Sequence, residues 1–209
     1  MYINQSLKKY IEDLADRTPT PGGGSVASLS SCLGCALIIM VCKFTLGNQK
    51  YKEVEADIEE AIKKIEPLRL RLMELIDLDI SAYKEVLEAY KLPKEDKERK
   101  AKIEKTIHKA ISVPLEICRL SVQALKICMG LLEKVNIKLI SDLSVSASLL
   151  RAGFQSALVN VEINLSSLKD EDFIINIRKI LEPLAKESEI LADEIIKKVK
   201  EKIIKMNTK

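Results

Sequence analysis

The chain has 209 residues, 34 of them Lys or Arg against 31 Asp or Glu, for a formal charge of +3; 47% are hydrophobic and 31% charged. That length suits one domain with a substantial core, and the balance excludes disordered and collagen-like classes. Charges alternate in sign, as in KEVEADIEEAIKKIE, the pattern of solvated helix faces. A nucleic-acid partner would require a one-sided basic stripe with stacking aromatics.

Aromatic residues make up 4%, while Leu, Ile, Ala, Lys and Glu dominate, so the expected class is all-α. Residues 5–16 place Leu7, Tyr10, Ile11 and Leu14 at helical spacing. Thr18-Pro-Thr-Pro-Gly-Gly-Gly-Ser25 then forces a turn, because proline fixes φ and glycine frees the backbone. The segment from Ser25 to Cys42 carries no charge and no proline. A buried central helix over about 25–46 fits it better than a membrane span, since its first half is Ser, Ala, Gly and Cys. Its small residues Ala27, Ser31 and Cys35 recur every four positions and would admit a neighbouring helix closely.

From Tyr51 to Tyr90 the sequence is helical throughout, with Pro67 as a kink or a boundary between two helices. A loop at Lys91-Leu-Pro-Lys-Glu-Asp leads to a helix over about 95–129, kinked at Pro114. A break around Asn136 precedes a fifth long helix from Ser141-Asp142 to Ser166-Ser167, and a sixth runs to about Lys205 through Pro183. The expectation is one domain over residues 1–209, a helical bundle of long, partly kinked helices around a buried apolar helix.

A glycine-rich turn feeding a helix N-terminus presents free backbone N–H groups to an anion or a polar ligand edge. The spacing is neither GxGxxG after a strand nor GxxxxGK[ST], which excludes the usual nucleotide loops. The five cysteines are Cys32, Cys35, Cys42, Cys118 and Cys128, and the first 20 residues are amphipathic and mixed in charge rather than signal-like. The expectation is a reducing cytoplasm with cysteines as small buried hydrophobes; Cys32 and Cys35 form a CxxC with no second pair beside it. The single histidine, His108, argues against most metal sites and against Ser-His-Asp or Cys-His catalysis. Any acid/base group is then a carboxylate, lysine, tyrosine or cysteine.

Among the carboxylates position discriminates. Asp79 shares the three- and four-residue spacing of Leu72, Leu75, Ile76, Ala82, Tyr83 and Val86, so it lies on an apolar stripe. Asp77 lies about 200° away around the helix, with Met73, Ser81 and Lys84. A carboxylate in an apolar stripe has its pKa raised toward the range useful for proton transfer. The same placement is also that of a buried aspartate satisfied by a helix end or a lysine. A second grouping, Asp142, Ser146, Gly153, Ala157, Asn160 and Asn164, falls roughly on one helix face. It suits either hydrogen bonding to an amide-rich heterocycle or a close helix crossing.

Together these stretches resemble a known family. TPTPGGGSVASLSSCLGCALIIMV at 18–41, DLDISAY at 77–83, A-x-x-LPK at 89–94, AISVPL at 110–115, N-x-x-x-x-SD at 136–142 and SALVNVEINL at 156–165 are similar, in order, to the formimidoyltetrahydrofolate cyclodeaminase / methenyltetrahydrofolate cyclohydrolase family. This is the fold of the C-terminal half of formiminotransferase-cyclodeaminase. Val135 stands where that family's glycine is expected, and Ser28, Ser30, Ser31, Ser144 and Ser146 where alanines are common.

The resemblance implies an all-α homodimer acting on a folate, with or without a polyglutamyl tail, with neither nucleic acid nor membrane as partner. It implies closure of 5-formimidoyltetrahydrofolate to 5,10-methenyltetrahydrofolate with loss of ammonia, hydrolysis of the methenyl compound to 10-formyltetrahydrofolate, or both. The family's proposed catalytic aspartate falls on Asp79. By resemblance, Gly22, Gly23, Gly24 and Ser25, together with Asp142, Asn160 and Asn164, would hold the pterin or its tail, and Lys94 would meet tail carboxylates. No metal or other cofactor is expected. The alternative from a different class is a non-catalytic helical interaction protein that retained the fold.

Overall fold

The computed structural model describes residues 1–207 and, within them, consists of helices joined by short connections. The long elements are α1 (Leu7–Ala15), α2 (Gly23–Thr45), α3 (Glu55–Lys91), α4 (Arg99–Leu131), α5 (Ile140–Leu165) and α6 (Glu171–Asn207), with short 3-10 turns at Tyr2–Asn4, Gln49–Val54 and Ile137–Leu139. The expected all-α bundle is the architecture found.

Helix α2 is the axle. It packs against α3, α4 and α5, while α6 closes the outside over α4 and α5. Neighbours alternate in direction: Ser28 meets Leu72 and Cys32 meets Arg69 across α2 and α3, Gly23 meets Asn160 and Gly34 meets Ser146 across α2 and α5, and Arg151 pairs with Asp193 across α5 and α6. The result is an up-and-down bundle, the topology that short helix connections favour.

The small residues of α2 act as the spacing implied. Gly153 of α5 lies so close that a Cβ there would stand 2.0 Å from Ser31 Oγ and 2.9 Å from the Ala27 carbonyl oxygen. Gly34 faces Leu150 in the same way. The close-crossing reading of Gly153 and Ala157 therefore holds for that part of the α5 face. The helix is long and apolar enough to cross a bilayer, but much of it is buried inside the bundle.

The serines in place of alanines fit for a reason beyond volume. Ser28 donates to the Leu72 carbonyl (2.6 Å), Ser30 to Leu149 (2.8 Å) and Ser146 to Gly34 (2.8 Å), and Ser31 pairs with Ser121 (2.7 Å). Val135 is buried and keeps a negative φ, so the loop before α5 needs no glycine there. The backbone N–H of the adjacent Asn136 donates to Thr45 Oγ1, and its side-chain Oδ1 accepts from the Lys138 N–H.

The prolines do not break the helices: α3, α4 and α6 run through Pro67, Pro114 and Pro183. Pro67 and Pro183 are exposed, where water can satisfy the carbonyl that lost its N–H partner. The boundary reading of Pro67 is thereby removed. All five cysteines are free and buried, and burial pushes the Cys32 thiol up to about 11 and those of Cys42, Cys118 and Cys128 up to about 12.

Candidate functional site

The glycine turn delivers α2 to the middle of α3. After a cis Thr20–Pro21 peptide, Gly22 caps α2 in an extended conformation without a side-chain hydrogen bond, so the first helical N–H groups are left for another partner. For the N–H of Ser25 that partner is Asp79. A Cβ on Gly24 would stand 2.0 Å from Asp79 Oδ1, 2.6 Å from its Cγ and 2.9 Å from Oδ2, closer than any side chain permits. Only glycine at position 24 lets the carboxylate sit against the helix end.

Two influences compete at Asp79. Desolvation by burial raises its pKa, and the backbone N–H of Ser25 lowers it; burial is the larger, so the group ends above the ordinary aspartate range. Features of both readings offered by the apolar stripe are present at once: the carboxylate meets a helix end, and burial raises its pKa. Of its stripe neighbours, Leu72, Leu75, Ile76 and Ala82 are buried and Val86 half-buried, whereas Tyr83 is exposed.

Next to it stands a group that periodicity did not single out. Tyr10, the one buried residue of α1, forms a 2.9 Å hydrogen bond with Ser25 Oγ inside the protein. Its pKa is raised, chiefly by burial. The remaining apolar residues of the α1 pattern face outward: Leu7, Ile11 and Leu14 are all exposed. The ring of Tyr2 packs edge-on against Tyr10 at 5.5 Å, and Asp77 accepts hydrogen bonds from the backbone N–H groups of Tyr2 (2.6 Å) and Ile3 (3.3 Å). The N-terminal turn is therefore fastened to α3 two residues before Asp79. A recess of about 150 Å³ opens there, lined by Tyr2, Ser6, Tyr10, Leu29 and Ile76 among others.

The third wall is α5. Asn160 lies across from Gly23, its amide nitrogen 3.1 Å from where a Cβ of residue 23 would be, and that nitrogen donates to the Ser156 carbonyl. Asn164, one turn on, donates to the Ala110 carbonyl of α4 (3.1 Å), so its amide nitrogen is committed to holding two helices together. Gly23, Gly24, Ser25, Asp79 and Asn160 are thus gathered in one corner, with Gly22 next to them in the chain and Asn164 one turn further along α5.

Asp142 does not join them within the chain. It shares the face of Asn160 but precedes it by 18 residues, which at 1.5 Å per residue is about 27 Å along α5. Facial periodicity fixes the angle around a helix and leaves the level free. Lys94 is exposed in the α3–α4 connection, beyond the C-terminal end of α3 at Lys91 and about 18 Å along that helix from Asp79. A carboxylate at a helix amino end, kept partly dry and flanked by backbone N–H groups and an amide, can take a proton from one atom of a polar heterocycle and return it to another.

The chain as a whole is similar to known proteins. The family described as Formiminotransferase-cyclodeaminase matches residues 6–183. The chain is 38% identical over 204 residues to the methenyltetrahydrofolate cyclohydrolase of Methylorubrum extorquens, covering 96% of this chain and 98% of that protein. It is 32% identical to the formimidoyltransferase-cyclodeaminase of Mus musculus over 82% of this chain, spanning only 32% of that longer protein. A crystal structure of formiminotetrahydrofolate cyclodeaminase from Thermotoga maritima superposes with a TM-score of 0.83 at 32% identity, covering 99% of both chains.

Proposed function

The chain belongs to the formiminotransferase-cyclodeaminase family, enzymes of folate one-carbon metabolism, and we propose that Asp79 is its general acid/base. The observation that carries this role is the placement of Asp79 against Gly24 at the amino end of α2, with a pKa raised by burial. A protein that retained only the scaffold would have no use for a close approach that a side chain at position 24 would break by displacing the carboxylate.

In cyclodeamination, N10 of 5-formimidoyltetrahydrofolate attacks the carbon of the formimidoyl group on N5, whose imine nitrogen is protonated. Asp79 takes the N10 proton and hands it to the formimidoyl nitrogen, which leaves as ammonia while the carbon becomes the methenyl bridge. In hydrolysis, Asp79 takes a proton from water as its oxygen attacks the methenyl carbon. The same proton then goes to N5 as the carbon–N5 bond breaks, the new hydroxyl proton passes to solvent, and 10-formyltetrahydrofolate results. Neither route moves electrons to or from a redox group, and neither consumes a nucleotide.

We assign Gly22, Gly23, Gly24, Ser25 and Asn160 to holding the folate head group, with Asn164 supporting Asn160 from behind. We assign the exposed Lys94 to meeting the carboxylates of a polyglutamyl tail. The corner opens toward exposed apolar side chains, Leu78 and Tyr83 on α3 and Val159 and Ile163 on α5, the last two 68% and 63% exposed. A second copy of the chain packing on them would close the site, so the enzyme is proposed to be a cytoplasmic homodimer, and any part played by Asp142 would come from across such an interface.

The test is absorbance of the methenyl chromophore with purified protein. Its appearance from the formimidoyl substrate identifies a cyclodeaminase, and its loss above the buffer rate identifies a cyclohydrolase. Full activity of Asp79→Asn in whichever assay responds would refute the assignment.

A further inference from the structure

The lone histidine argued against a metal when counted in the sequence; its surroundings reverse that argument. Where α4 passes the start of α6, one ring nitrogen of His108 and one carboxylate oxygen each of Glu104 and Asp170 lie within 4.8 Å of one another. Glu104 and His108 are four residues apart on α4, so their side chains leave the same helix face one turn apart. Asp170 arrives from a different element, the residue before α6.

Two of these three groups are already held in place, and both by Phe173. Its ring stacks on the His108 imidazole with centroids 4.2 Å apart and planes 5° from parallel. Its backbone N–H donates to Asp170 Oδ1 at 2.9 Å, the capping bond of α6, a bond that does not use Oδ2. His108 Nε2 is buried and has no hydrogen-bond partner. A buried imidazole nitrogen without a partner carries a desolvation cost, which an ion bound at that nitrogen would remove.

We propose that Glu104, His108 and Asp170 form a binding site for a borderline divalent metal ion, Zn²⁺ being the ion the donor set fits. One imidazole and two carboxylates are a Zn²⁺ donor set, and they leave a fourth position open to water. Bonds of about 2.1 Å in a tetrahedron place donor atoms about 3.4 Å apart. The present spread of up to 4.8 Å would close by rotation of Glu104, whose side chain is held neither by stacking nor by a capping bond. Two carboxylates match the ion's charge. The cleft of about 380 Å³ beside them, which Glu104 and Asp170 also line, gives entry past the exposed Lys100 and Lys169. None of these residues belongs to the corner around Asp79.

The full chain, stripped with a chelator and titrated with ZnCl₂ in a calorimeter, is expected to bind one ion per chain. Zn²⁺ is expected to raise the melting temperature, and Co²⁺ to give a visible spectrum of four-coordinate intensity. Affinity should fall at least about 10-fold in His108→Ala and in Glu104→Gln. The second variant keeps the volume of the side chain and leaves the His108–Phe173 stack intact, which separates loss of a ligand from loss of fold. No saturable binding by the wild-type chain would overturn the site. So would binding that persists unchanged in both variants, since it would place the ion elsewhere, with the buried cysteines as the obvious rivals.

Discussion

Replacing Gly24 by alanine tests the site more sharply than removing the aspartate, because it leaves every functional group present. The added Cβ would stand 2.0 Å from Asp79 Oδ1, against the 3.4 Å of ordinary contact, so the carboxylate must withdraw by about 1.4 Å. A displacement of about 1 Å at a reacting group can cost about 100-fold in rate, and overpacking of this kind costs about 1–3 kcal/mol of stability. The expected outcome is a folded protein by circular dichroism whose turnover, followed by methenyl absorbance, falls at least about 100-fold. Gly130→Ala is the control: nothing lies within 4 Å of a Cβ there and the position is helical, so activity should stay at the wild-type level while stability rises slightly. Activity of Gly24→Ala within about tenfold of wild type would show that the Asp79–Gly24 contact does not position the catalytic group.

Asp79→Asn should lose about 10²–10⁴-fold in turnover and yet melt no lower than wild type at neutral pH. The native pKa of Asp79 is raised, so the wild-type chain binds that proton more tightly when folded, and its stability falls as pH rises from the ordinary aspartate pKa through the raised native value. The asparagine escapes that loss, so its relative gain should be seen above this window and vanish below it in melts across pH; a gain that persists at low pH would contradict the sign. Tyr10→Phe strands the buried Ser25 hydroxyl and should cost about 1–3 kcal/mol in denaturant titration. The five cysteines, buried and with Cys32, Cys42, Cys118 and Cys128 held at about 11–12, should resist a thiol reagent at neutral pH until the chain unfolds.

The long helices were legible in the sequence because each carries its own periodicity, and Asp79 was legible because its angle on α3 placed it among Leu72, Leu75 and Ile76. Its partner was not. Gly24 reaches Asp79 only through the packing of α2 on α3, which no local pattern encodes. Asp77, assigned by angle to the polar face, anchors the N-terminal turn some 75 residues away in the chain. In α1 the apolar pattern named four candidates for burial and only Tyr10 took it, because an amphipathic stripe says which face is apolar and leaves open what covers it. Asp142 and Asn160 were grouped by angle alone, and the 18 residues between them separate the two ends of one helix.

Helix α2 also carries a set of mechanical detents. Apolar ridges packed in grooves tolerate a slide or a small roll, since one methyl group replaces another at little cost. The hydroxyls of Ser28, Ser30 and Ser31 each engage one particular carbonyl or hydroxyl on α3, α5 or α4, and that of Ser146 on α5 reaches back to the Gly34 carbonyl of α2. Moving α2 by a single residue would disengage all of them together in a dry interior. The reacting corner at one end of the helix is thus indexed from its middle, and the tolerance with which Gly24 meets Asp79 is machined several turns away from the chemistry.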